Sequence, residues 1–113
     1  MPATALDRTL AALAEPTRRA VVDLLRDGPA RASHLAAALN TSRPALSRHL
    51  RVLRGADLIE DQPDPHDGRA RLIHLRSAPL DDVADWLTEV RTFWTEQLDA
   101  FAAHLTPEPP DAP

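Results

Sequence analysis

The chain has 113 residues, 43% hydrophobic and 27% charged, with a formal net charge of −4 and no cysteine. That length is one small domain, so apolar a composition excludes intrinsic disorder, and the missing thiol excludes disulfides, thiolate metal ligands and a cysteine nucleophile. No apolar run approaches the roughly 20 residues of a membrane span and no basic, then apolar leader opens the chain, so the expected location is the cytoplasm and no membrane partner is expected. The negative charge is unevenly spread: residues 1 to 78 hold 12 Arg against 9 acids, whereas residues 79 to 113 hold 1 Arg against 8 acids. From Gly28 to Ala56 stand five arginines, Arg31, Arg43, Arg48, Arg51 and Arg54, and no acid, a window suited to face phosphates.

Leu6, Leu10 and Leu13, spaced by four and three, predict an amphipathic helix over Ala5–Ala14 that ends at the Glu15-Pro16 step. Pro16 suits the opening turn of a second helix with Val21, Val22, Leu24 and Leu25 on its buried face, stopped by Gly28-Pro29. Ser33 is read as the N-cap of a short third helix that turns Leu35, Ala36 and Leu39 inward before the polar turn Asn40-Thr41-Ser42. Ser42 then caps a fourth helix, with Pro44 near its start and Leu46, Leu50 and Leu53 along one face.

After Gly55 the period changes, and Leu58-Ile59 and Arg71–Leu75 predict two short strands around Pro63–Gly68, a hairpin. Pro79 opens a long helix in which Leu80, Val83, Leu87, Val90, Trp94, Leu98, Phe101 and Leu105 recur every three or four residues, widened by Trp86 and Phe93. Thr106–Pro113 contains four prolines and is expected to be a frayed tail, which gives a domain over 1–105 and a tail over 106–113.

Two short helices joined by a polar turn, the second of them basic, have the outline of a helix-turn-helix. With Leu46, Leu50 and Leu53 inward, Pro44, Ser47, Arg48 and Arg51 point outward. Ser and Arg side chains on a helix in the major groove reach base edges or phosphates, with Arg51 placed for a phosphate; the bland alternative is a solvated arginine face. Arg69 and Arg71 either contact the DNA backbone or only keep an edge strand soluble.

Ala14-Glu15-Pro16-Thr17-Arg18-Arg19, the run from Ser42 to Leu53, Ala56-Asp57-Leu58-Ile59 and Gly68-Arg69-Ala70-Arg71 together resemble the ArsR family of bacterial repressors. The resemblance implies a mainly α fold with a small β-hairpin, a winged helix-turn-helix with long N- and C-terminal dimerisation helices. It implies contact with double-stranded DNA through Ser42, Arg43, Ala45, Ser47, Arg48 and His49, and wing contact through Arg69 and Arg71. It also implies a homodimer joined through Leu6 and Leu10 of the first helix and Leu80, Val83, Leu87, Val90, Trp94, Leu98, Phe101 and Leu105 of the last. A sequence-specific repressor on an inverted-repeat operator follows from that two-fold symmetry.

The chain departs from the family's metal sensors. Its third helix has no thiol and its last helix has one histidine, His104, so a site from Asp81, Asp85 and His104 would need a second subunit; no metal and no cofactor are expected. The aromatic stripe leaves open a small-molecule effector pocket beside the commoner reading of packing across a dimer. No spaced catalytic set is present, so the protein is not expected to be an enzyme. A winged-helix module that binds protein instead of DNA stays open beside the repressor, as does a metal-responsive repressor.

Overall fold

The computed structural model describes residues 3–105, in the order α1 (Ala5–Leu13), α2 (Pro16–Leu25), α3 (Ala32–Ala38), α4 (Arg43–Gly55), β1 (Ile59–Asp64), β2 (Asp67–Leu75) and α5 (Ala78–Leu105). The described residues form two compact units, 3–83 and 84–105. The expected tail over 106–113 lies outside the described residues.

Local chemistry sets each helix boundary in the first unit. Thr4 and Asp7 form a capping box: the Thr4 hydroxyl accepts the Asp7 N–H at 3.1 Å and the Asp7 carboxylate accepts the Thr4 N–H at 2.9 Å. Glu15 caps α2 by accepting the Arg18 N–H at 2.9 Å, and Pro16, at the first helical position, lacks only an N–H that would have had no partner inside the helix. Ser42 caps α4 as expected, its hydroxyl accepting the Ala45 N–H at 3.2 Å.

The expected cap at Ser33 is corrected. Arg31 occupies the N-cap of α3 without a side-chain bond, and Ser33 sits exposed inside the first turn. The cause lies far away in sequence: Ala30 and Ile73 exchange both backbone hydrogen bonds, at 3.1 and 2.8 Å, which holds the chain extended up to the point where it coils. Residues paired by the fold choose the start, and local propensity yields.

Two helices stop on the same device. After α3, Asn40 takes φ 50°, its N–H reaches Ala37 O and the Thr41 N–H reaches Ala36 O; after α4, Asp57 takes φ 57°, its N–H reaches Arg54 O and the Leu58 N–H reaches Leu53 O. Both are Schellman closures, and Asn and Asp are the non-glycine residues that tolerate the left-handed position best. Leu58, expected in a strand, instead closes α4 and buries itself with Leu53. Gly28, at φ 139°, meets a backbone requirement that side-chained residues rarely satisfy.

The hairpin is longer than the two predicted strands. Its ladder runs from Ile59–Leu75 to Asp64–Asp67, with Pro65 and His66 at the turn; between Pro63–Arg71 and Asp64–Asp67 the register shifts, which leaves Gly68, Arg69 and Ala70 bulged out of the ladder and accommodates Pro63 beside them. The Asp64 and Asp67 carboxylates accept the His66 and Arg69 backbone N–H groups at 2.8 and 3.1 Å, closing the turn within the Pro63–Gly68 segment.

The core of this unit joins every element: Ala12, Val21, Leu25, Leu35, Leu46, Leu50, Leu53, Leu58, Ile59 and Ile73 are buried, with Leu13, Leu24, Leu39, Leu75 and Leu80 packed against them. Thr9 is also buried, its hydroxyl donating to Ala5 O at 3.0 Å. The architecture is a helix-turn-helix, α3 and α4, with the β1–β2 hairpin as a wing.

The second unit is helical from Ala84 to Leu105, continuing α5 without a break. Its apolar residues stay exposed: Leu87 is 47% accessible and Phe93, Trp94, Leu98, Phe101 and Leu105 between 58% and 60%. Phe93 and Trp94 meet edge to face at 6.5 Å.

Adjacent residues of α4 test this core. Leu53→Ala is expected to lower the unfolding free energy by about 2–5 kcal/mol, and Val52→Ala, at a 43% exposed position, by less than about 0.5 kcal/mol. Urea denaturation followed by circular dichroism measures both, and equal losses would contradict the facing of α4.

Candidate nucleic-acid interface

Burial of Leu46, Leu50 and Leu53 fixes the rotation of α4, and the opposite face presents Arg43, Pro44, Ser47, Arg48 and Arg51, all exposed. Ser42 is exposed at the cap; its oxygen is used by Ala45, and its hydroxyl proton is left to donate outward. Ala45 is half-buried.

The acid-free window divides once folded. Arg54 forms a two-pronged bond with Asp61 of β1, Nε to Oδ2 at 2.6 Å and Nη2 to Oδ1 at 2.9 Å. Arg31 grips Asp64, Nη2 and Nε to Oδ2 at 2.7 and 3.2 Å, with Asp67 at 3.8 Å. Among the described residues Arg43, Arg48, Arg51 and Arg69 form no ion pair or side-chain hydrogen bond. The acid-free window is therefore not uniformly free of acids in space. Acids from the wing neutralise its first and last arginines, and the three between them stay unpaired on the outer face of α4.

On the wing, Arg69 and Arg71 are exposed on β2. Arg71 stands opposite Pro63, whose missing N–H weakens that rung, and adds a favourable charge near Asp61.

His49 is placed differently from its neighbours. It is only 25% exposed, and its Nδ1 lies 3.3 Å from Arg18 Nη1 and 3.7 Å from Glu15 Oε2, on the flank of α4 toward α1 and α2. Burial pushes the Glu15 carboxyl up, but hydrogen bonds from the Arg18 backbone N–H and from Thr17 act against it, and the net direction is downward. Arg18, Glu15, Asp61 and Asp64 were not singled out by sequence reasoning for this surface. The Glu15-Pro16-Thr17-Arg18 motif was the available signal for the first two, and the aspartates had none.

Of the residues expected at a dimer interface, Leu6 and Leu10 on α1 and Leu80, Val83 and Val90 on α5 are half-buried, while Leu87, Trp94, Leu98, Phe101 and Leu105 are exposed. Among the described residues no three His, Asp or Glu side chains are grouped to hold a metal, and no helix is long and apolar enough to cross a membrane.

Residues 15–61 match the description "bacterial regulatory protein, arsR family". The chain is 40% identical over 105 residues to the HTH-type transcriptional regulator Rv2034 of Mycobacterium tuberculosis, covering 93% of this chain and 92% of that one. It is 32% identical over 82 residues to the transcriptional repressor SdpR of Bacillus subtilis, covering 73% and 88%. Among solved structures it is similar to an ArsR-like transcriptional regulator from Rhodococcus sp. RHA1, with TM-score 0.78 and 28% identity over 91% of this chain and 94% of that one.

The wing's attachment has a pH signature. The side-chain bonds from Arg54 and Arg31 hold the Asp61 and Asp64 carboxyls below the ordinary aspartate range. A carboxyl whose folded pKa is depressed stabilises the fold above its unfolded value of about 3.9, and that stabilisation is lost as pH falls through the lower folded value. An Asp61→Asn/Asp64→Asn variant is expected to have a lower urea midpoint at pH 7 and a shallower fall in midpoint below about pH 4. Parallel acid curves for variant and wild type would contradict the two pairings.

Proposed function

The chain belongs to the arsR family of bacterial regulatory proteins, and from that premise we propose that it is a sequence-specific, double-stranded-DNA-binding transcriptional repressor that acts as a homodimer on an inverted-repeat operator. The observation that carries the reading is the sorting of arginines: Arg43, Arg48 and Arg51 stand unpaired on the exposed face of α4 while Arg31 and Arg54, in the same window, are neutralised from the wing. A solvated face of no function has no need of that division. A helix in the major groove uses such residues to reach base edges and phosphates.

In this reading Ser47 and Arg48 read base edges. Arg51, Arg43 and the Ser42 hydroxyl take phosphates, Ala45 packs against the groove, and Arg69 and Arg71 of the wing take the neighbouring backbone. His49 contributes from the flank. The regulatory direction, repression, has support in the likeness to SdpR, itself described as a transcriptional repressor.

The homodimer has support in α5. Monomeric soluble proteins rarely expose apolar patches beyond about 300–600 Å², and α5 carries two Trp, two Phe and three Leu exposed by 39% to 60% in the single chain. A second copy supplies the same stripe about a two-fold axis, with Leu6 and Leu10 of α1 contributing to the seam. The two recognition helices then meet DNA in opposite senses, about 34 Å apart, which makes the site an inverted repeat. Residues 1–105 act together as the DNA-binding and dimerising domain, in the cytoplasm.

A gel shift with the DNA upstream of the protein's own coding region tests the proposal, and failure to retard any duplex would favour a protein-binding module. Against a randomised half-site library at fixed salt, Arg48→Ala is expected to lose about 1–3 kcal/mol on the preferred site and to relax one position per half-site, whereas Arg51→Ala weakens all sequences alike. Unchanged base preferences in Arg48→Ala would remove that residue from direct readout. For the dimer, sedimentation at micromolar concentration is expected to give two copies for wild type and one for Leu87→Asp, since an unpaired charge in a packed seam costs several kcal/mol. A monomeric wild type would contradict the proposed assembly.

A further inference from the structure

We propose that Arg18 is a positioning residue for the DNA contact of α4: it locks His49 in the neutral tautomer with the proton on Nε2, so that the ring offers a single outward N–H donor to a phosphate oxygen. The inference rests on the reading of α4 as the DNA-facing helix. It adds to that reading a second layer behind the exposed arginines.

Arg18 is itself held on three sides. Its Nε donates to Ala12 O at 2.7 Å and its Nη2 to Ala11 O at 3.3 Å, carbonyls in the last turn of α1, the second of which also accepts the Ala14 N–H at 3.2 Å. Its backbone N–H is fixed by Glu15 at 2.9 Å. The remaining nitrogen, Nη1, lies 3.3 Å from His49 Nδ1. A guanidinium has donors and no acceptor, so an Nδ1 that meets it must present a lone pair. The competing acceptor, Glu15 Oε2, is 3.7 Å away, beyond hydrogen-bond length, and is already occupied by the Arg18 backbone.

With Nδ1 accepting, the proton of the neutral ring sits on Nε2. Nε2 has no partner among the described residues, and no buried side-chain nitrogen or oxygen among them lacks one, so this N–H opens to solvent. It does so from the same flank of α4 as Ala45 and Val52, four and three residues from it, beside the outer arginine face. A donor on the flank of a groove-bound helix meets the sugar-phosphate backbone at the groove edge, and a phosphate oxygen is the acceptor presented there.

Two kinds of measurement on the full chain test this. In long-range proton–nitrogen spectra of the free protein at neutral pH, His49 is expected to show an unprotonated Nδ1 and a protonated Nε2, and Arg18→Met to lose that preference. In duplex binding, His49→Gln, whose amide N–H sits at the ε position, is expected to stay within about twofold of wild type. His49→Asn, with its donor at the δ position, and His49→Leu are expected to weaken binding about tenfold or more over the two subunits. Arg18→Met is expected to weaken the wild type but to add nothing to His49→Leu. Where Arg18→Met unfolds, as read by circular dichroism, the His49 series decides alone. A wild-type spectrum with the proton on Nδ1 overturns the Arg18 lock while DNA binding stands, and His49→Leu binding like wild type overturns the phosphate contact. A wild type that binds no duplex overturns the DNA reading itself, with the tautomer still judged by its spectrum.

Discussion

Two arginine–aspartate pairs, Arg54 with Asp61 and Arg31 with Asp64, set the display of charge on the winged body. They join residues 7 and 33 positions apart and attach β1 to the end of α4 and to the start of α3. As a contribution to stability the Arg54–Asp61 pair is small: it is partly exposed, and such pairs are worth about 1 kcal/mol or less. Its weight lies in geometry. A bidentate guanidinium–carboxylate contact fixes orientation as well as distance, and so sets where the wing hangs relative to α4. The same pairs withdraw two positive charges from the surface and leave those that the helix axis points outward.

The positioning of α4 is redundant in a way that suits a rigid reading head. Leu46, Leu50 and Leu53 set its rotation, Ser42 sets its start and the Asp57 closure sets its end. Arg18 and Glu15 brace its flank through His49, and Arg54 ties its last turn to the hairpin. Side chains held by packing and by a second shell of hydrogen bonds keep a binding surface in place before its ligand arrives, which lowers the entropic cost of binding. The aromatic face of α5 has the opposite character, a surface left exposed among the described residues. On the proposed reading, one feature serves DNA and the other serves a second copy of the protein.

Much of this was legible in the sequence, because periodicity reports burial. The leucine spacings gave α1 and α4, the polar turn at Asn40-Thr41-Ser42 separated the two helices of the motif, and the long stripe gave α5. What escaped was set by partners far along the chain. Ser33 has the chemistry of a cap, but the Ala30–Ile73 bridge starts the helix earlier. Pro63, Asp64 and Asp67 have the composition of a loop, but side-chain bonds to turn amides extend the ladder through them. The acid-free window counts charges correctly along the chain; which of them stay unpaired depends on aspartates that only the folded hairpin brings near. His49 likewise shares its helix with the exposed arginines, and only the contact with Arg18 shows that its ring faces another element.

The central claim is that folding sorts the arginines of one sequence window into paired and phosphate-facing sets. Salt dependence of duplex binding reads this directly, because each phosphate neutralised adds about 0.9 to the magnitude of the log–log slope. Arg51→Ala, which removes one unpaired arginine from each subunit, is expected to reduce the slope by about two, while the Arg54→Asp/Asp61→Arg exchange, which takes the arginine off α4 but keeps an ion pair between α4 and the wing, leaves it as in wild type. An equal reduction in both would contradict the account, because the arginine held by the wing would then be facing phosphate after all.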